Sequence, residues 1–93
     1  MNQVSVRVRI TGRVQGVGYR GWTVQAAVIL GLSGWVRNRS DGSVEAVFQG
    51  GQNQIDQMID KLYQGPFGAA VSCVTFDYET CPKIENFNQI STL

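Results

Sequence analysis

Val4, Val6, Val8 and Ile10 alternate with Ser5, Arg7, Arg9 and Thr11, the period of two that marks a strand with one buried face. Gly12 to Gly18 follows as a glycine-rich loop. Beyond it, Trp22, Ala26, Ile29 and Leu30 recur at helical spacing, from a start near Gly21 to a stop at Gly31. Trp35, Val36 and Arg37 open a second extended run and Val44 to Phe48 forms a third, with Asp41-Gly42 between them as the signal of a tight hairpin turn. Ile55, Met58, Ile59, Leu62 and Tyr63 make an i, i+3, i+4, i+7, i+8 stripe, with Asn53 as its N-cap and Gly65-Pro66 as its stop. Val71 to Tyr78 reads as a fourth strand, and Phe87 to Ile90 as a short fifth at an edge.

The order βαββαβ predicts an α+β fold: a ferredoxin-like α/β sandwich, with an antiparallel sheet of four to five strands and both helices on one face. A right-handed crossover makes the first two strands parallel, so the loop after Thr11 and the end of the second strand share one edge. Arg20 and Asn38 are then expected to be neighbours. Trp22 and Trp35 are expected in the core. A chain of 93 residues with 43% hydrophobic content suits one core, and residues 1–93 read as one domain with no repeat, linker or low-complexity tract. No apolar run approaches the roughly 20 residues of a membrane span, and Met1-Asn2-Gln3 leads straight into the alternating run instead of a signal segment. The expectation is a cytoplasmic monomer without a membrane partner, although an unprotected sheet edge can also pair.

Charge changes this picture, because the net value of +1 hides an asymmetry. Residues 1–40 hold six arginines and no acid, whereas residues 41–93 hold two lysines against seven acids, giving local charges of +6 and −5. Such a division favours an anionic ligand near the first part. Solvated arginines on a sheet face would account for four of the six, but not for Arg20 among glycines. The chain has no histidine and only Cys73 and Cys81, so neither thiol has an imidazole to activate it and no second pair completes a zinc site. At about 3.3 Å per extended residue, these two cysteines also lie beyond disulfide reach. No metal or cofactor is expected.

Gly12, Gly16 and Gly18 permit positive φ, so backbone N–H groups from about Gln15 to Arg20 could converge on one anion, helped by the positive end of the following helix. Arg20 could meet two phosphate oxygens with its planar fork. Spacing alone leaves a second reading equally open, a strand-to-helix turn that needs glycine only for its geometry. Asn38, near a turn, has the alternative role of capping its own backbone. Gly16 to Gly21 also fits G-x-G-x-x-G, with Asp41 twenty residues beyond Gly21. Four residues separate Thr11 from Gly16, however, Asp41 falls in a turn, and the chain is too short for a doubly wound sheet, which excludes dinucleotide binding. No Gly-Lys-Ser/Thr follows the loop, which excludes a Walker site.

Gly12-Arg13-Val14-Gln15-Gly16-Val17-Gly18-Tyr19-Arg20, with Gly34-Trp35-Val36-Arg37-Asn38 and Asp41-Gly42-Ser43-Val44-Glu45, resembles the acylphosphatase family, in order and length over nearly the whole chain. The resemblance implies hydrolysis of an acyl phosphate, a small-molecule substrate, to a carboxylate and inorganic phosphate without metal or cofactor. It implies that the loop Gln15, Gly16, Val17, Gly18, Tyr19 and Arg20 binds the phosphoryl group, and that Arg20 and Asn38 are catalytic, Asn38 orienting the attacking water. Tyr19 stands where the family more often has Phe, adding a hydroxyl that needs a partner or water. The alternatives are a non-catalytic anion-binding module of the same fold and an RNA-binding sheet. No RNP1 pattern is present, so no nucleic-acid partner is expected.

Overall fold

An interior strand of the sheet is β1 (Val4–Arg13), whose Val6, Val8 and Ile10 are wholly buried on one face while Arg7 and Arg9 occupy the other. The computed structural model describes residues 3–93, so the expectation placed on Met1 and Asn2 lies outside the described residues. After β1 come α1 (Tyr19–Ile29), β2 (Ser33–Asn38), β3 (Val44–Gly50), α2 (Gln52–Gln64), β4 (Ala70–Tyr78) and β5 (Phe87–Gln89). The strand order is β4-β1-β3-β2-β5. The first four strands pair antiparallel, as the ferredoxin-like arrangement requires, whereas β5 joins β2 in parallel and makes the sheet mixed.

Both helices cover the face that carries Val6, Val8, Ile10, Val36, Val44, Ala46 and Phe48, and their side chains join one core with it. From α2 this core takes Ile55, Met58, Ile59 and Leu62, while Tyr63 at the end of the predicted stripe stays half exposed. Asn53 is not the cap of α2. The helix starts two residues earlier, where the Ile55 N–H already donates to the Gly51 carbonyl at 3.0 Å. Likewise α1 begins at Tyr19 and not near Gly21, because Gly18 in a left-handed conformation turns the chain and takes the Trp22 N–H on its carbonyl at 3.0 Å.

The buried line of α1 is Tyr19, Thr23 and Ala27; Trp22, Ala26 and Leu30 flank it, and Ile29 is 82% exposed. Thr23 tolerates full burial because its hydroxyl donates to the Tyr19 carbonyl at 2.8 Å. Trp35 is not a core residue. It lies on the open face of the sheet, where the Arg37 and Arg7 guanidinium carbons sit 4.8 and 5.5 Å from its ring centre. Cys73 is exposed on β4, Cys81 is half-buried beyond it, and both are free thiols.

Candidate functional site

Gly16 and Gly18 both hold φ at 78°, a conformation that side chains with a Cβ rarely adopt. A Cβ at either position would meet nothing within 4 Å, so the requirement is one of backbone shape, and the space in front of the loop stays open. The loop delivers the chain into α1, whose first turn has no side-chain cap and no acidic residue. The N–H groups of Tyr19, Arg20 and Gly21 precede the first intrahelical bond of that turn and are the donors a helix start leaves free.

These groups line a cleft of about 210 Å³. Gln15, Gly16, Gly18, Tyr19 and Arg20 form one side of it and Asn38, at the end of β2, forms another, so the crossover brings Arg20 and Asn38 to one place. Val17 does not line the cleft; its side chain packs against the core. Gln89 of β5 does line it, and sequence reasoning missed this residue because a three-residue edge strand carries no periodic signal.

The structure gives each side chain a distinct task. The Gln15 amide donates to the Arg39 and Ser43 carbonyls, both at 2.8 Å, and so ties the loop to the hairpin turn after Asn38. Tyr19 is buried, its hydroxyl donates to the Leu62 carbonyl at 2.6 Å, and burial raises the phenol's pKa and keeps the proton in place. Asn38 pairs with Val44 through the sheet and accepts the Leu93 N–H on its backbone carbonyl at 3.1 Å. Its side-chain oxygen Oδ1 is buried and has no hydrogen-bond partner among the described residues. An orphaned acceptor of this kind is costly unless something donates to it.

Around the cleft, charge is distributed differently from what the sequence suggested. Arg7, Arg9, Arg37 and Arg39 lie on the open sheet face, but they are not merely solvated. Buried Glu45 accepts from Arg7 and Arg39 at 2.9 Å and from Arg37 at 3.0 Å, and Arg9 approaches it at 4.0 Å. Glu79 and Asp41 take second contacts, at 2.8 Å from Arg7 and 3.5 Å from Arg9. Among the described residues Arg20 is in no ion pair, so its charge is available at the cleft.

A larger, more open depression of about 550 Å³ lies at the other end of β1, lined by Ser5, Tyr78, Glu79 and Cys81, and no arginine is among its lining residues. Among the described residues no cluster of His, Cys, Asp and Glu could hold a metal ion, and no helix is long and apolar enough to cross a membrane. Free N–H groups at a helix start, an unpaired guanidinium and one orphaned amide oxygen can hold a phosphate-like dianion and accept a hydrogen bond from a group beside it.

A family model described as Acylphosphatase matches residues 6–89. An acylphosphatase of Rhizobium etli is 57% identical over 70 residues, which cover 75% of this chain and 74% of that protein. One of Rhodopseudomonas palustris is 45% identical over 89 residues, covering 96% of this chain and 89% of that one. The solved structure of an acylphosphatase from Coxiella burnetii superposes with a TM-score of 0.93 at 35% identity, covering 96% of this chain and 94% of the other.

Proposed function

The chain belongs to the acylphosphatase family, whose reaction is the hydrolysis of acyl phosphates to a carboxylate and inorganic phosphate, and we propose that it carries this out in the cleft between Arg20 and Asn38. The loop from Gln15 to Arg20 receives the phosphoryl oxygens, with each charge-assisted bond contributing about 1.5 to 3 kcal/mol. Asn38 accepts a hydrogen bond from the attacking water and holds it in line with the bond to be broken. The unpartnered, buried Asn38 Oδ1 beside unpaired Arg20 is the observation that supports this assignment.

The new bond forms between the water oxygen and phosphorus, and the bond from phosphorus to the carboxyl oxygen breaks. The leaving carboxylate has a conjugate acid of pKa about 4, so it departs at neutral pH without a general acid. The proton of the attacking water passes to a phosphate oxygen of the substrate, which leaves position and charge stabilisation to the protein. A chain without histidine is sufficient for this chemistry. The same proposal keeps the metal-independent, cytoplasmic monomer expected from the sequence.

Benzoyl phosphate hydrolysis in excess EDTA tests the proposal, with Arg20→Ala and Asn38→Ala compared against the parent. The parent is expected to be active without metal, and each variant to lose about 100-fold or more in kcat/KM. Arg20→Ala should also weaken inhibition by inorganic phosphate, whereas Asn38→Ala should lower kcat and leave KM near the parent value. A folded parent that binds phosphate without hydrolysing benzoyl phosphate would instead identify a non-catalytic anion-binding module.

A further inference from the structure

The residues on either side of Asn38 end on a single atom. Glu45 Oε1 accepts from Arg37 Nε at 3.0 Å and from Arg39 Nη1 at 2.9 Å, while Oε2 takes Arg7 Nη1 at 2.9 Å. Glu45 stands opposite Arg37 in the β2–β3 ladder and is only 4% exposed. Side chains alternate along a strand, so Arg37 and Arg39 are held on the open face while Asn38 between them lines the cleft on the other. Among the described residues no group donates a hydrogen bond to the Asn38 carboxamide oxygen. Its position therefore follows from the backbone of residues 37–39. With the carboxylate gone, two guanidiniums that now share one oxygen would repel each other across the strand end.

On the reading of Asn38 given above, we infer that Glu45 is a positioning residue for the reaction: from the far face of the sheet it fixes the strand end that presents Asn38 to the cleft. It touches neither the phosphate nor the water, so its removal should misplace Asn38, while the Arg20 loop keeps its second Gln15 bond, to the Ser43 carbonyl. Misplacement of a reacting group by about 1 Å lowers rates by as much as 100-fold.

The test is a double-mutant cycle read on benzoyl phosphate, with Glu45→Gln made in the parent and in Asn38→Ala. In the parent, kcat should fall by about 10-fold or more, with KM and inhibition by inorganic phosphate unchanged within about twofold. In Asn38→Ala the same substitution should have no further effect, because its target is gone. A general loss of structure would act equally in both backgrounds, so equal losses, or a rise in KM with kcat preserved, would overturn the inference. Should Glu45→Gln fail to fold, Arg39→Met removes one tie only. It should lower kcat by about 3-fold in the parent and not at all in Asn38→Ala. If Asn38→Ala itself matched the parent rate, the reading of Asn38 and this inference would fall together, whereas equal losses remove the inference alone.

Discussion

The carbonyl of Leu62 lies in the last turn of α2, and the residue four positions on, which would normally donate to it, is Pro66. Proline has no N–H, so the sequence itself leaves that carbonyl without a helical partner. The Tyr19 hydroxyl fills the role from α1 at 2.6 Å. The sequence indicated that this hydroxyl needs a partner, but not which one, because the partner is 43 residues away. Tyr19→Phe should therefore lower stability by about 1 to 2 kcal/mol, the cost of leaving a buried carbonyl unsatisfied. The shift is read as a lower urea midpoint at unchanged slope, with kcat and KM on benzoyl phosphate unaltered.

Among the elements, β1 and α2 were legible because each buries one continuous apolar face, as Val6, Val8 and Ile10 and Ile55, Met58, Ile59 and Leu62 do. The starts of both helices were misplaced for a common reason. Each begins after a glycine, Gly18 or Gly51, that makes no side-chain cap bond, and a search for side-chain caps passes over it. The fifth strand shows the opposite case, an element held by few residues. Phe87 stacks on Phe48 at 5.3 Å, Gly34 donates to the Asn86 carbonyl at 2.9 Å, and Ile90 donates to the Val36 carbonyl at 2.9 Å. These contacts bring Gln89 to the cleft. Phe87→Ala should release β5 at a cost of about 3 kcal/mol. Chemical denaturation measures that loss, and a parallel fall in kcat/KM would register the displaced cleft wall.

Over the whole molecule, the charge asymmetry along the chain is offset in space on the open sheet face, where Arg7, Arg9, Arg37 and Arg39 meet Glu45, Glu79 and Asp41. Arg7 reaches Glu79 across 72 positions and Glu45 across 38, which no local pattern reveals. Arg20 and Asn38 were legible as a pair because crossover handedness and motif agreed; the pairing of the other arginines was not. The RNA-binding alternative loses support, since the four arginines on the open sheet face, Arg7, Arg9, Arg37 and Arg39, are already engaged with carboxylates. Burial alone would push the Glu45 carboxyl up, but the Arg37, Arg39 and Arg7 donors outweigh it and hold the group below the usual carboxylate range. The Ser43 hydroxyl and amide do the same for Asp41. A folded-state pKa below the unfolded value of about 4 gives stabilisation that is complete above that value and is lost as pH falls through the lower one. The urea midpoint should thus be flat from about pH 7 to 5.5 and decline below about pH 4, with a shallower decline in Glu45→Gln. A denaturation series over that range checks both.

Because β1 sits between β3 and β4, with Val6 opposite Phe48 on one side and Tyr78 on the other, the order of synthesis matters. A ribosome releases the cleft loop, Asn38 and β3 well before the strand that covers the second side of β1. Until then the backbone donors and acceptors of β1 along that side are bare and open to pairing with another chain. The nascent protein carries the residues of its cleft before the strand that closes the sheet beside β1, and its most vulnerable surface is an edge that the finished molecule no longer has.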